Sequence, residues 1–136
     1  MASNRFTQFT SFPKRLAHSW QHSNSMLCVG LDPDVSRMPE GYGTSPAEIE
    51  RFCMEIVKAT AEFACAFKPQ IAYFAANRAE AALENILAYA NEIAPHATTI
   101  LDAKRGDIGA TAKQYAIEAF ERYKADSVTL SPYMGS

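Results

Sequence analysis

Residues 100–109 read Ile100-Leu101-Asp102-Ala103-Lys104-Arg105-Gly106-Asp107-Ile108-Gly109, with two acids and a lysine where an apolar run meets a glycine-marked turn. Side chains alternate between the faces of an extended strand, so Asp102 and Lys104 are predicted to point the same way. Asp107 follows Gly106 and is predicted to lie in the next loop. Buried charges are costly unless they form a network, and catalysis is one reason to keep such a group. The spacing alone also fits a surface ion pair.

Apolar runs and helical patterns alternate along the rest of the chain. Strands are predicted at residues 26–32, 64–69, 98–104 and 127–132. Helices are predicted at residues 45–63, 78–94 and 109–124, with a short extra helix from Phe12 to Trp20. The order β-α-β-α-β-α-β with short links predicts parallel strands joined by right-handed helical crossovers.

Local signals support two of these helices. Ser45 is a predicted N-cap, Pro46 suits the first turn, and Glu48 would complete a capping box. The last helix carries an apolar stripe that is predicted to face the core. Its members are Ala112, Tyr115, Ala116, Ala119, Phe120 and Tyr123.

Polar residues favour one of two architectures. A repeat of about 30 to 35 residues per βα unit fits either a (β/α)₈ barrel or a doubly wound sheet. Asp32, Lys68 and the Asp102–Lys104 pair end three successive predicted strands. A barrel gathers such ends around one pocket, whereas an open sheet separates the outer ones. We therefore predict an α/β fold of the (β/α)₈ TIM barrel family.

The chain has room for only the first four βα units of such a barrel. A whole barrel takes about 200 to 250 residues, so a truncated half-barrel with an unpaired sheet edge is predicted. It is expected to be a fragment of a longer protein or a unit that must associate. We predict a single domain over residues 1–136, the N-terminal half of a TIM barrel. Residues 1–25 would form an N-terminal extension or helix, and residues 26–136 the four βα units.

Composition narrows the function classes. Hydrophobic residues make up 48% of the chain, charged residues 21%, and the net charge is −2. This charge predicts neither nucleic acid nor a membrane surface as a partner, and no apolar run is long enough to span a bilayer. Residues 1–13 lack the apolar core of a secretory signal. Cys28, Cys53 and Cys65 sit in apolar runs without metal spacing, which predicts reduced thiols in a cytoplasmic protein.

Four motifs in order along the chain resemble the orotidine 5'-phosphate decarboxylase family, in its larger bacterial type. The resemblance extends from about Met26 to Ser136. The motifs are Leu27-Cys28-Val29-Gly30-Leu31-Asp32-Pro33, Phe67-Lys68-Pro69-Gln70, Asp102-Ala103-Lys104-Arg105-Gly106-Asp107-Ile108-Gly109 and Ser131-Pro132-Tyr133-Met134-Gly135.

The resemblance implies a (β/α)₈ barrel that converts orotidine 5'-phosphate to UMP, in pyrimidine biosynthesis de novo, with no cofactor and no metal. It implies that Lys68, Asp102, Lys104 and Asp107 form the charged catalytic tetrad. The family is a homodimer with shared active sites, so Asp107 would serve the neighbouring subunit's pocket.

Further residues are implied to bind substrate. Ile108 and Thr111 would follow Asp107 across the dimer interface. Asp32 would bind a ribose hydroxyl, with Lys68 also near the ribose, and Ser131 could present its hydroxyl to the pyrimidine base. Two of these residues have a simpler interpretation: Lys68 could be a solvent-facing lysine at a strand end, and Asp32 could form a turn with Pro33.

Arg105 is expected to be a solvated loop residue. His18, His22 and His96 are expected to be structural or on the surface.

Three alternative functions stay open. One is a magnesium-dependent sugar-phosphate decarboxylase of the same superfamily, and another is a Schiff-base aldolase, which needs a neutral lysine that flanking acids disfavour. The third is a non-catalytic half-barrel that acts as an assembly unit. The family binds phosphate through loops after its seventh and eighth strands, so these 136 residues alone are expected to show little or no decarboxylase activity.

Overall fold

Four parallel strands form one sheet in the order β1-β2-β3-β4 in this computed structural model, which describes Phe9 and residues 11–135. The strands are β1 (Leu27–Leu31), β2 (Ala64–Pro69), β3 (Thr98–Arg105) and β4 (Ser127–Leu130). The helices are α1 (Phe12–Ser23), α2 (Pro46–Thr60), α3 (Ile71–Ala76), α4 (Glu80–Ile93) and α5 (Gly109–Ala116). A π-helical segment (Ile117–Arg122) extends α5, and short 3₁₀ turns lie at Val35–Arg37 and Pro132–Met134.

Sequential strands are neighbours throughout, as in the first half of a (β/α)₈ barrel. Parallel pairing aligns Gly30 with Lys68 and Phe67 with Thr99. Because all four strands run the same way, their carboxyl ends meet at one edge of the sheet. The predicted β-α-β-α-β-α-β order is confirmed. The predicted features of residues 1–8, 10 and 136 lie outside the described residues.

The core lies between the sheet and helices α2 and α4, which pack against each other. Helical spacing places one apolar stripe of each helix inward. The largest fully buried apolar side chains are Phe67, Phe74, Ile49, Leu83, Ile86, Leu87, Leu101 and Val57.

Helix α2 begins at the predicted cap, with a different reciprocal bond. The Glu48 N–H donates to Ser45 Oγ at 3.4 Å, and Pro46 occupies the first turn. The Glu48 carboxylate accepts instead from the Gly43 N–H at 3.0 Å. In a capping box the Glu48 carboxylate would bond the backbone N–H of Ser45. Here it bonds the loop two residues before Ser45 instead.

Helix α3 was missed by the sequence prediction, because six residues are too few for a visible helical period. It follows Pro69 directly, and Gln70 caps it by accepting from the Ala72 N–H at 3.3 Å. The helix predicted from residue 78 begins at Glu80.

The predicted inner face of the last helix is only partly correct. Ala119 and Tyr123 are buried, whereas Ala116 is exposed and Phe120 is 43% exposed. In the described part of the chain, no strand pairs with the outer edge of β4. The uncovered helix face and that edge therefore border a groove with a volume of about 610 Å³. Its apolar lining includes Phe12, Tyr115, Ala116, Phe120, Leu130 and Met134.

Helix α1 matches the predicted extra helix and contacts β2 and β3. Arg15 is buried and donates to the carbonyls of Pro95 at 2.9 Å, His96 at 3.1 Å and Ala97 at 2.7 Å. Its Nε lies 3.6 Å from a carboxylate oxygen of Asp126. These bonds fix α1 beside the amino ends of β3 and β4, so the carboxyl ends of the strands stay open.

The three histidines pack near one another, in agreement with the structural role predicted for them. The His22 ring on α1 stacks on the His96 ring with centroids 4.3 Å apart, and His18 lies 6.0 Å from His22. Among the described residues, no helix has both the length and the apolar character needed to cross a membrane.

Candidate active site

The Asp102 carboxylate near the end of β3 accepts hydrogen bonds from four side chains. Lys104 Nζ donates to Oδ1 at 2.7 Å, and Thr129 Oγ1 donates to the same oxygen at 2.8 Å. Gln70 Nε2 donates to Oδ2 at 3.0 Å, and Lys68 Nζ at 3.3 Å. Two of the four donors carry a positive charge, so this carboxylate is the centre of a charged cluster.

Parallel pairing explains why these residues meet. Lys68 and Gln70 end β2 and begin the next turn, while Thr129 lies on β4. An isolated bridge pairs Gln70 with Asp102. Donors from both neighbouring strands therefore converge on β3 near its carboxyl end, where α/β barrels build their active sites.

The cluster is buried at the acid and open at the amines. Asp102 is 7% exposed, whereas the Lys68 side chain is 35% exposed and the Lys104 side chain 66%. The pKa of the Asp102 carboxyl is lowered to about 2, and the hydrogen bond from Lys104 is the largest cause. Burial raises this pKa, whereas the hydrogen bonds from Thr129 and Lys68 lower it further. The carboxylate is therefore ionised at neutral pH and places a negative charge between the two lysine amines.

The strand is not regular at this point. Leu101 pairs with Val128 and Arg105 pairs with Leu130, so four steps along β3 match two along β4. Lys104 has a φ of 48°, in the left-handed region that non-glycine residues seldom adopt. The simple alternation predicted for residues 101–104 is therefore interrupted by a bulge, although Asp102 and Lys104 do contact each other.

The fourth residue of the expected tetrad lies apart from the other three. Asp107 is exposed, and its Oδ1 accepts from the N–H of Ile108 at 2.8 Å. Within residues 11–135 it forms no ion pair with Lys68 or Lys104. Ile108 is 64% exposed and Thr111 is exposed on α5. These three residues share an uncovered surface after β3.

Asp32 is exposed just after β1 and borders a separate small pocket beside Phe52 and Cys53 of α2. In the described part of the chain, it makes no hydrogen bond to Lys68 or Asp102.

Ser131 lies against the loop after β3. Its N–H donates to the Arg105 carbonyl at 2.7 Å. A Cβ at Gly106 would stand 2.8 Å from the Ser131 carbonyl oxygen, closer than real Cβ atoms come to such a group. Glycine at position 106 therefore permits the loop after β3 to pack on the end of β4.

Arg105 is not the solvated residue that the sequence suggested. Its guanidinium donates to both carboxylate oxygens of Glu118, at 3.0 and 3.1 Å, and lies 4.8 Å from the centre of the Tyr115 ring. Both partners lie on the helical segment after β3, one turn apart. The pattern of residues in β3 alone could therefore not predict these contacts. This fork ties the end of β3 to that helix.

Sequence reasoning missed two residues of the cluster. Gln70 belongs to the second of the four family motifs, but the resemblance assigned it no role. Thr129 lies two residues before Ser131, and strand alternation puts both on one face. That spacing was the available signal, but a threonine in a short apolar run is usually a packing residue.

Comparison with known proteins agrees with the sequence motifs. A family model described as "Orotidine 5'-phosphate decarboxylase / HUMPS family" matches residues 25–136. The curated orotidine 5'-phosphate decarboxylase of Ralstonia nicotianae is 61% identical over 124 residues, covering 91% of this chain and 46% of that protein. Its counterpart in Janthinobacterium sp. is 58% identical, with coverage of 92% and 46%. The chain thus spans about half the length of these curated relatives.

A solved structure supports the fold. The Leishmania donovani OMP decarboxylase superposes with a TM-score of 0.76 at 37% identity, covering 93% of this chain and 46% of that one. The predicted fold class and the resemblance drawn from the four motifs are confirmed. With a four-stranded parallel sheet of this order and a family match over residues 25–136, the chain belongs to the orotidine 5'-phosphate decarboxylase / HUMPS family.

Proposed function

We propose that this chain supplies the catalytic cluster of an orotidine 5'-phosphate decarboxylase, which converts orotidine 5'-phosphate to UMP in pyrimidine biosynthesis de novo. One observation carries the proposal: the ionised Asp102 carboxylate is bonded to the amines of Lys68 and Lys104 at the carboxyl end of the sheet. This cluster provides fixed charges of both signs where a substrate would be bound.

The reaction requires electrostatic help. Loss of CO₂ from C6 of the pyrimidine leaves an electron pair in the ring plane, where the ring π system delocalises it poorly. Without an organic cofactor as electron sink, the protein has to stabilise this charge itself. A lysine ammonium held beside C6 is suited to the task.

Lys104 is the proposed stabiliser and proton donor. Its ammonium faces the developing charge at C6 and then transfers a proton to that carbon, which completes UMP. Asp102 aims the amine through its hydrogen bond, and repels the substrate carboxylate until CO₂ leaves. Lys68 compensates the second Asp102 oxygen, and its open amine lies within the same cluster for contact with the ribose.

The remaining site residues are proposed by the same resemblance. Asp32 would bind a ribose hydroxyl, and Ser131 the pyrimidine base. We propose a homodimer in which Asp107 reaches the neighbouring subunit's site, followed by Ile108 and Thr111. Their exposure, and the separation of Asp107 from its own Lys104, support that arrangement. The cytoplasm is the proposed location.

Further chain is proposed to complete the site. We propose that residues 26–136 are the first four βα units of a barrel, preceded by an extension over residues 1–25. The outer edge of β4 and the groove of about 610 Å³ beside it give a strand and a helix of a second half-barrel a surface to cover. Phosphate-binding loops would come from that second half.

Complementation tests the function. The 136-residue chain is assayed for UMP formation alone and after co-expression with the C-terminal half of the Ralstonia nicotianae relative. We expect little turnover alone and clear turnover in the complex. Lys104→Ala should abolish turnover, whereas Lys58→Ala, on the exposed side of α2, should leave it unchanged. A stable complex without turnover of orotidine 5'-phosphate would overturn the proposal.

The same complex separates the alternatives. Turnover of a sugar-phosphate β-keto acid that depends on added Mg²⁺ would favour the magnesium-dependent decarboxylase. Borohydride trapping of a carbonyl substrate on Lys104 would favour an aldolase. Binding of the two halves without any of these three activities would favour a non-catalytic assembly unit.

A further inference from the structure

The Thr129 hydroxyl makes three hydrogen bonds at the bulge of β3. It accepts from the backbone N–H groups of Ala103 and Lys104, each at 3.0 Å. It also lies 2.8 Å from Oδ1 of Asp102. This half-buried side chain reaches across from β4, and no role follows for it from the family motifs quoted above.

The direction of each bond is fixed by the chemistry of a hydroxyl. A threonine hydroxyl has one hydrogen and two lone pairs. The two amide N–H groups can only donate, so they occupy both lone pairs. The single hydrogen must then point at the Asp102 carboxylate, which can only accept. Thr129 is therefore fully saturated and has one orientation available.

These bonds also replace the sheet hydrogen bonds that the bulge removes. Four residue steps on β3 oppose two on β4, which leaves the intervening N–H groups without a regular ladder partner. Lys104 adopts its left-handed backbone at this point, with a φ of 48°. The hydroxyl bonds both the Lys104 backbone and the carboxylate oxygen that the Lys104 amine contacts.

We propose that Thr129 is a positioning residue that sets the geometry of the Lys104–Asp102 pair, by holding the Lys104 backbone in its bulged conformation and aiming Oδ1 of Asp102 at the lysine amine. The kinetic consequence of this role rests on the proposed decarboxylase function. The geometric role does not, so the two can be tested separately.

The geometric test uses nuclear magnetic resonance on the 136-residue chain. In the unsubstituted chain the Thr129 hydroxyl proton should exchange slowly and be resolved. In Thr129→Val, which keeps the shape and loses the hydroxyl, the Asp102 carboxyl should titrate at higher pH. Thr129→Ser should restore the original titration. Thr99→Val is the matched control, because Thr99 also bonds a carboxylate, that of Asp126, but at the other end of β3.

The kinetic test uses the chain complexed with the C-terminal half of the Ralstonia nicotianae relative. Thr129→Val should lower kcat on the order of 100-fold, as misplacement of reacting groups does, with little change in KM. Thr129→Ser should recover most of the loss, and Thr99→Val should leave kcat unchanged. A rapidly exchanging hydroxyl, an unshifted Asp102 titration in folded Thr129→Val, or equal effects of the Thr129 and Thr99 substitutions would overturn the inference. Loss of turnover in every complex, with the titration shift intact, would contradict only the decarboxylase function.

Discussion

The amine of Lys104 lies 2.7 Å from Oδ1 of Asp102, two residues earlier on the same strand. Neighbours at this spacing on a flat strand share a face, but their side chains extend in parallel. Here the bulge and the positive φ of Lys104 bring its amine back to the carboxylate. Local backbone shape, as well as the order of residues, thus creates the charged pair.

Replacing the central acid should impair chemistry more than folding. In Asp102→Asn the carboxylate charge between Lys68 and Lys104 is lost, and the amine of Lys104 loses its aim. We expect kcat of the complex with a C-terminal half to fall by at least about 100-fold. Stability to urea should fall at neutral pH by on the order of 2 kcal/mol, which is the contribution of the ionised carboxylate. Steady-state kinetics and urea unfolding check this; unchanged kcat would contradict it.

Acid should remove the stability that the Asp102 carboxylate provides. Its pKa is about 2 when folded and 3.8 in the reference state, so the unfolded chain takes up the proton first. The contribution is present above about pH 4 and is lost as the pH falls towards 2. From the size of this shift it is on the order of 2 kcal/mol. Urea unfolding between these limits should show a steeper pH dependence for the unsubstituted chain than for Asp102→Asn.

The stacked histidines should make the fold sensitive to mild acid. Burial, together with the charge of His22 and that of Arg15, lowers the pKa of His96. The unfolded chain therefore binds a proton more readily at this residue, and stability should fall as the pH drops below about 6.5. Thermal unfolding from pH 8 to pH 5 measures the slope. His96→Gln should flatten it, and an unaltered slope would show that another group is responsible.

A methyl group at Gly106 should disrupt the contact between the ends of β3 and β4. In Gly106→Ala the new Cβ would stand 2.8 Å from the Ser131 carbonyl oxygen, and backbone has to move. We expect a loss of about 1–3 kcal/mol in the free energy of unfolding. Gly30→Ala is the control, because its Cβ would meet nothing closer than 3.8 Å. Equal stability of the two variants in urea would contradict the steric argument.

Removing the buried cation of α1 should be the most destabilising of these changes. Arg15→Met deletes three hydrogen bonds to carbonyl groups and leaves the Asp126 carboxylate without this cation. We expect a loss of about 3–5 kcal/mol. Arg37→Ala, at an exposed turn, should change stability by less than about 0.5 kcal/mol. Chemical denaturation of both variants decides the matter.

Periodicity and strand-end charges were sufficient to predict the strand order and the meeting of three charged residues. Lys68 and the Asp102–Lys104 pair end neighbouring parallel strands, and parallel pairing brings such ends together. The Ser45 cap was equally predictable, because it depends on residues adjacent in sequence.

The features that were missed depend on contacts between distant segments or on irregular backbone. The Arg105–Glu118 fork joins a strand to a helix thirteen positions later. Thr129 bonds a bulge whose existence follows from the register of β3 against β4, which one strand's pattern does not contain. The exposure of Phe120 was mispredicted because an apolar stripe indicates that a helix face should be covered, not which part of the chain covers it.

Position 104 is also where ease of folding and chemical need conflict. The left-handed backbone there favours glycine or asparagine, and a long unbranched side chain with a Cβ is an unfavourable choice for it. Yet neither of those residues carries an amine. A variant library selected for thermal tolerance alone should therefore drift towards glycine at this position and lose the ammonium group. A library selected for turnover should keep lysine and gain its robustness elsewhere in the molecule.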